Sequence, residues 1–555
     1  MSTAISIQTA FGDVVDVIRA AVDLGARKRS GRRSTAENRL IKRAERRPPL
    51  DEATRVALTA AIKAGEDPLG EALQSLHDRE KRRKTGMFYT PALIVQPMVG
   101  WVLRGQPDLV VDPGCGSGRF AAEVARRSPQ TSLLAIDKDP AATLITRAVL
   151  AVLGARSYKV RHADFLKVKA RSIRPNARTR VGWVGNPPFV RHHAFARSVK
   201  QHRLKIAVAA GHESLMTAGL HLMFFAKTKT LARKGDVGCY VTSAEWMDNR
   251  SGRFVRELFL NGLGGTHIAV IDPETFIFAG VKTTAAITRF VLGEHAGPKR
   301  FTLGVATDAL AAHLLDDDAG HVVGTGRLLH ARGWTHAVTN PDAMEYHGPT
   351  IGDLFRVSRG TATGSNAFFA LTPERAEELG VQKYGVPTVT RAEEIIASAG
   401  ELRRRSGLKV VLDIPKALER RGDPALDAYL KTGEKPGPDG TTVSAGSNAQ
   451  KRTPWWVLNV SKPAIVATYM ARRPPAFATN PDRLGILNIA LGLVPKIPLT
   501  DAQLREVVDA LNAAAPTFES HAVTYFGNLK KFEPKAVAAL PLPRSLHGLL
   551  QQNHR

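Results

Sequence analysis

Four short apolar runs, separated by stretches with helical periodicity, set the frame of this chain between residues 108 and 184. Asp108 to Asp112, Leu133 to Ile136, Tyr158 to Arg161 and Val181 to Val184 each predict a buried strand, being short, apolar and bounded by turn residues. Strands that alternate with helices predict an α/β, doubly wound sheet with its ligand at the carboxyl edge. Ahead of the first strand, Leu93, Ile94, Met98 and Trp101 mark a helix, with Thr90 as its cap and Pro91 at its first position. After the fourth come a polar loop from Phe189 to Ser214, a helix to Arg233 and a strand from Val237 to Thr242. Ile268 to Asp272 and Thr284 to Leu292 suit two closing antiparallel strands, joined through Phe276 and Phe278, so seven strands are expected. From about residue 296 the repeat is lost, and Pro541-Leu542-Pro543 ends the ordered fold.

The polar residues that interrupt this pattern fall at strand ends. Asp112 leads into Pro113-Gly114-Cys115-Gly116-Ser117-Gly118, where alternate glycines permit a tight turn and close approach of backbone to a ligand. The loop lacks the third glycine of a phosphate-cradling motif, and Asp112 repels a pyrophosphate while suiting a cationic or amine-bearing ligand. Asp137 ends the second strand, where an acid accepts ribose hydroxyls. Asp164 and Phe165 follow the third, placed to meet an adenine amino group and ring. The helix start at Thr90-Pro91 attracts a carboxylate, such as an amino-acid head group.

The fourth strand ends in Gly185-Asn186-Pro187-Pro188-Phe189. Two prolines that cannot donate and an exposed aromatic ring are costly for folding alone. The Asn186 side-chain carbonyl and the Pro187 backbone carbonyl form a pair of acceptors that suits an exocyclic amine, and Phe189 offers a face to a flat heterocycle.

Charge narrows the partner. Lys and Arg number 78 against 51 Asp and Glu in 555 residues, a formal charge of +27, which favours nucleic acid. Ten Lys and Arg residues crowd the stretch from Ala26 to Arg47, which reads as a solvated or phosphate-gripping helix. Further cations follow the Asn186 turn at Arg191, Arg197, Lys200, Arg203 and Lys205, where they suit a displaced nucleotide's phosphates. His192 and His193 lie among them, but no further ligand pattern accompanies them and no metal is expected. Two cysteines, Cys115 and Cys239, are too few for a disulfide framework. The chain shows no signal-peptide pattern and no apolar run of membrane-spanning length, which predicts a cytoplasmic protein without a membrane partner.

Taken in order, these motifs resemble the class I S-adenosylmethionine-dependent methyltransferases, and within them the gamma-class, TaqI-like DNA adenine-N6 methyltransferases of restriction-modification systems. Phe88-Tyr89-Thr90-Pro91 resembles their motif X, Asp112 to Gly118 motif I, Asp137 motif II, Asp164 motif III, and Asn186 to Phe189 the catalytic motif IV. The resemblance implies a Rossmann-like catalytic domain over 85–295, after a basic helical segment over 1–84. It implies S-adenosylmethionine as cofactor, its methionine part at Tyr89, Thr90, Pro91, Asp112, Pro113, Gly114, Gly116 and Gly118, its ribose at Asp137, and its adenine at Asp164 and Phe165. It further implies that Asn186, which also borders the cofactor, and Pro187 bind the target amine, beside Pro188, while Phe189 stacks on an adenine flipped from double-stranded DNA.

A more distant resemblance, carried by Gly360 to Phe369 and Phe526 to Pro534, implies an α+β target-recognition domain over 351–555, after a connecting region over 296–350. Arg403 to Arg405 and Arg420-Arg421 add positive charge there. The expected protein is a monomer with a cognate restriction endonuclease as its counterpart.

An Asn-Pro-Pro-aromatic turn does not choose its substrate by itself. RNA adenine-N6 methylation is the enzymatic alternative, a catalytically inactive nucleic-acid-binding protein is the alternative of another class, and the basic chain disfavours a protein substrate. Cytosine C5 chemistry needs a nucleophilic cysteine on a loop, whereas Cys115 lies in the glycine loop and Cys239 in a predicted strand.

Overall fold

The computed structural model describes residues 11–28, 31–77, 89–190, 197–213, 218–272, 284–293, 297–306, 308–331, 333–339, 348–417, 422–437, 440–519, 522–525 and 529–551. Phe88, Arg191, His192, His193, Phe276, Phe278, Arg420, Arg421 and Phe526-Gly527-Asn528 lie outside them. The chain divides into two compact units, Met1–Pro341 and Asp342–Arg555.

The first unit opens with helices α1 (Val14–Ala21), α2 (Thr35–Ala44), α3 (Glu52–Ala64) and α4 (Pro68–Ser75), followed by α5 (Ala92–Arg104). The α/β repeat then runs β1 (Leu109–Pro113), α6 (Arg119–Arg127), β2 (Ser132–Asp137), α7 (Pro140–Val152), β3 (Tyr158–His162), β4 (Val181–Gly185), α8 (Arg197–Ala209), α9 (Leu220–Leu231), β5 (Val237–Ser243), α10 (Arg253–Asn261), β6 (Gly265–Ile271) and β7 (Ala285–Val291). Two more strands, β8 (Lys299–Val305) and β9 (His321–Val323), complete a single sheet of order β3-β2-β1-β4-β5-β7-β6-β8-β9. The pairs from β3 through to β5 are parallel, and β7 runs antiparallel to both β5 and β6. Strand order reverses between β1 and β4, the position where such sheets open a ligand crevice.

Alternation along each strand divides the core between the two faces of the sheet. Val111, Leu134 and Trp183 pack with α9 through Phe224 and Phe225, while Val110, Leu133 and Val184 pack with α5 and α6. The N-terminal helices make a third layer on α7, with Ile18, Leu58 and Leu69 against Leu144, Ile145 and Ala148. Within that layer Glu37 and Arg147 form a fully buried ion pair at 3.0 Å, and Glu37 also accepts the Thr143 hydroxyl.

Three expectations are corrected. Among the described residues the sheet has nine strands, not seven, because β8 and β9 continue it beyond residue 296; β8 pairs parallel with β6, and β9 pairs antiparallel with β8. Thr90 does not cap α5: the cap is Pro91, and the Thr90 hydroxyl turns toward the fourth strand end. The stretch after the Asn186 turn is not all loop, for α8 forms there on a buried strip of Arg203, Ile206 and Ala207, and the helix expected from Ser214 begins at Leu220.

The second unit combines helices with three small sheets of four, four and three strands. Its longest helix, Asp501–Phe518, packs Val507, Val508 and Leu511 against Phe477 and Leu493 of the first of these sheets. Among the described residues no helix is long and apolar enough to cross a membrane.

Candidate active site

The carboxyl ends of β1, β2 and β4 and the loop after β3 open into one cavity of about 790 Å³. Its wall includes Tyr89, Thr90, Gly114, Gly116, Asp137, Asp164, Phe165, Asn186 and Pro188 of the expected set. Pro91, Asp112, Pro113, Gly118, Pro187 and Phe189 lie off the wall, in the segments that carry it.

The glycine loop owes its course to backbone conformations that L side chains rarely adopt. Gly116 has φ +53 and Gly118 φ +90; a β-carbon would stand 2.9 Å from the Tyr89 ring at the first and 2.8 Å from Thr146 at the second. The loop is fixed to the second strand end by Asp137, whose two oxygens accept the amides of Gly116 at 2.9 Å and Asp139 at 2.8 Å. Each carboxylate oxygen retains a second lone pair for a hydroxyl donor. Burial raises the Asp137 pKa, and these two amides draw it back.

Asp112 is 1% exposed, and neither of its oxygens has a hydrogen-bond partner. Burial drives its pKa well above the usual carboxylate range; the Ala121 amide, which falls short of hydrogen-bond geometry, opposes the rise and the nearby Asp137 charge adds to it. A partnerless buried carboxylate at the root of a glycine loop suits an amine-bearing ligand. On the cavity wall Phe165 is buried, tilted on Phe224 with ring centres 5.0 Å apart, and Asp164 caps the short turn beginning at Phe165. A flat wall beside an acid, an acid at the second strand end, and a buried carboxylate at the root of the glycine loop suit the adenine, ribose and amino-acid parts of S-adenosylmethionine.

Asn186 sits on the same wall. Its amide nitrogen donates to Thr90 Oγ1 at 3.1 Å, which fixes the plane and direction of the side chain. Phe189 is half-buried, not exposed, because His221 packs edge-on to it with ring centres 5.8 Å apart. Burial pushes the His221 pKa down to about 4.

Several wall residues carry no signal in the strand-end pattern. Arg119, first residue of α6, points its guanidinium over Tyr89 at 5.5 Å and donates to the Thr90 carbonyl at 3.1 Å. His202, Arg203 and Val199 of α8 border the cavity, and burial lowers the Arg203 pKa to about 10 against the pull of Asp164. The cations of 191–205 were legible as a group, but which of them face the cavity depends on α8. Both cysteines are buried, and desolvation raises the Cys239 pKa to about 12, which leaves no thiolate nucleophile at neutral pH. Among the described residues no three His, Cys, Asp or Glu are grouped to hold a metal ion.

Comparison with known proteins adds an independent line. Residues 336–554 match the family model of the type II methyltransferase M.Eco57I C-terminal domain, and residues 102–230 match the methyltransferase small domain. The type II methyltransferase M.XamI of Xanthomonas campestris pv. amaranthicola is 36% identical over 506 residues, covering 89% of this chain and 90% of the relative. The type II methyltransferase M.AccI of Acinetobacter calcoaceticus is 20% identical over 475 residues, covering 82% of this chain and 84% of the relative. Among solved structures, the type IIL restriction-modification enzyme MmeI in complex with DNA aligns over 96% of this chain and 80% of its own, with a TM-score of 0.59 at 14% identity, a likeness of fold.

Proposed function

The chain belongs to the type II DNA methyltransferases of restriction-modification systems, and from that premise we propose that it methylates the N6 amine of an adenine flipped out of duplex DNA. The cofactor of the family is S-adenosylmethionine, which when bound supplies an electrophilic methyl group on a sulfonium centre. In this reading Asp112 and the glycine loop hold the amino-acid part, Asp137 the ribose, and Asp164 with Phe165 the adenine.

The observation that carries the proposal is the Asn186 amide, held by Thr90 on the wall of the same cavity as the glycine loop. With its nitrogen engaged, the amide directs its carbonyl oxygen as an acceptor, and the Pro187 carbonyl supplies a second. Two acceptors on the two hydrogens of an exocyclic amine leave its lone pair for attack. Phe189, braced by His221, stacks on the flipped base, a contact worth ~1–3 kcal/mol against an unstacking cost of a few kcal/mol.

The partner is duplex DNA, supported by the net charge of +27 and by a stripe of exposed cations, Arg39, Lys42, Arg43 and Arg46, along α2 and just past its end. Its biological counterpart is an endonuclease that cuts the same sequence when unmethylated. The test is transfer of labelled methyl from S-adenosylmethionine to mixed-sequence duplex DNA, with matched RNA in parallel and the nucleosides separated after digestion. Label in N6-methyl-2′-deoxyadenosine from DNA is expected; label in N4-methyl-2′-deoxycytidine, or in RNA alone, contradicts the reading.

A further inference from the structure

We propose that Asp67, in the N-terminal helical layer, is a positioning residue of the cofactor site, an inference that rests on the methyl-transfer reading above. Asp67 caps α4, its Oδ1 accepting the Gly70 amide at 3.0 Å. Its other oxygen serves a different part of the chain. Oδ2 accepts Ser117 Oγ at 2.5 Å and Arg119 Nε at 2.7 Å, so one carboxylate grips the end of the glycine loop and the residue that follows it. Asp67 is 7% exposed and Ser117 1%, so water competes weakly for these bonds and the charge-assisted one is strong.

Arg119 carries the restraint onward. Its Nη1 donates to the Thr90 carbonyl at 3.1 Å and its Nη2 to Glu71 Oε1 at 3.1 Å, while the guanidinium covers the Tyr89 ring. Thr90 in turn holds the amide of Asn186 through its hydroxyl. A continuous chain of hydrogen bonds thus runs from Asp67 through Arg119 and Thr90 to the residue that orients the target amine.

Capping alone does not account for this arrangement. A helix cap needs one acceptor, and Ser or Asn supplies it as well as Asp. The second oxygen and the charge go to the glycine loop. Gly70 points the same way: a β-carbon there would stand 2.2 Å from Asp67 Oδ2 and 2.5 Å from Oδ1. The helix thus carries its poorest ordinary former where the carboxylate needs room.

The test uses the full-length protein with Asp67→Asn, Gly70→Ala and, as a control for lost capping, Asp51→Ala. Asp51 caps α3 through the Thr54 amide at 2.8 Å and has no bond to the glycine loop. Binding of S-adenosylmethionine is measured by titration calorimetry, together with unfolding midpoints and steady-state kcat and KM. Asp67→Asn, which keeps a capping oxygen, and Gly70→Ala are expected to weaken cofactor binding about tenfold and to lower kcat when assayed well below their unfolding midpoints, by an extent that does not follow those midpoints. Asp51→Ala is expected to bind as the wild type does. Wild-type affinity and turnover in both test variants would overturn the proposal, as would a loss of affinity that merely tracks the unfolding midpoint across all three. A wild-type protein that failed to bind the cofactor would overturn the parent reading, and the positioning role with it.

Discussion

Thr90 precedes the cap of α5, yet its hydroxyl serves the catalytic turn by accepting the Asn186 amide nitrogen at 3.1 Å. Thr90→Val keeps the shape and removes this acceptor, which loosens the orientation of the Asn186 amide on which the proposed reading depends. Turnover should fall about tenfold while cofactor affinity changes by less than about twofold, consistent with the loss of one orienting hydrogen bond. Unchanged turnover would remove Thr90 from the mechanism. A second residue-scale prediction concerns His221, whose pKa burial lowers to about 4. The unfolded chain takes up that proton near pH ~6.5, so between there and about pH 4 the unfolded state binds more protons and stability falls as pH falls. His267, also lowered to about 4, acts in the same direction, whereas the raised Asp112 and Asp137 act in the opposite one. The difference between wild type and His221→Gln isolates the effect: the variant should lose less of its unfolding midpoint on acidification from pH ~6.5 to ~4. Parallel profiles would contradict a buried, neutral His221.

At the scale of the element, α2 is the clearest case of one helix with two tasks. Its inner face is fixed by Ile41, Ala44 and the buried Glu37–Arg147 pair, and its start is closed by a capping box between Ser34 and Glu37. The outer cations Arg39, Lys42, Arg43 and Arg46 recur at spacings of three and four, so they share one face. Salt bridges near this helix engage Arg27 and Arg47 instead. Replacing all four outer cations by Ala should weaken DNA binding and reduce the slope of log affinity against log salt by up to ~3–4. An unchanged slope would show that the stripe does not meet phosphates.

The same helix shows what the sequence can and cannot convey. Its cations were legible as a run, but the structure was needed to show which side faces solvent. In the catalytic sheet the apolar runs placed β1 to β4 to within a residue or two, since buried parallel strands read as compact apolar segments. The strands β8 and β9 escaped notice for a physical reason. In β8 Phe301 and Val305 are the buried apolar side chains among Lys and Arg, and β9 has three residues with His321 and Val322 exposed.

For the whole molecule, the site combines segments distant in sequence that periodicity treats separately. The strand-end acids and Asn186 could be named because each interrupts an apolar run. Asp67 could not, because it lies about fifty residues before its partners Ser117 and Arg119, in a helical layer that shows no chemistry by itself. Arg119 interrupts no apolar run and so carries no signal of its own, and Phe189 gave no sign of the brace that His221 provides. On the proposed reading, what unites these residues is that two ligands meet at one strand end: a cofactor on the glycine loop and a target amine on Asn186. The most direct test is single-turnover methylation by Asn186→Ala on DNA that the wild-type protein modifies, measured beside equilibrium binding of S-adenosylmethionine. The account predicts a rate lower by ~10²–10³, as for the loss of a preorganised transition-state contact, with cofactor affinity preserved. A variant that methylates at the wild-type rate would contradict the role given to the Asn186 turn.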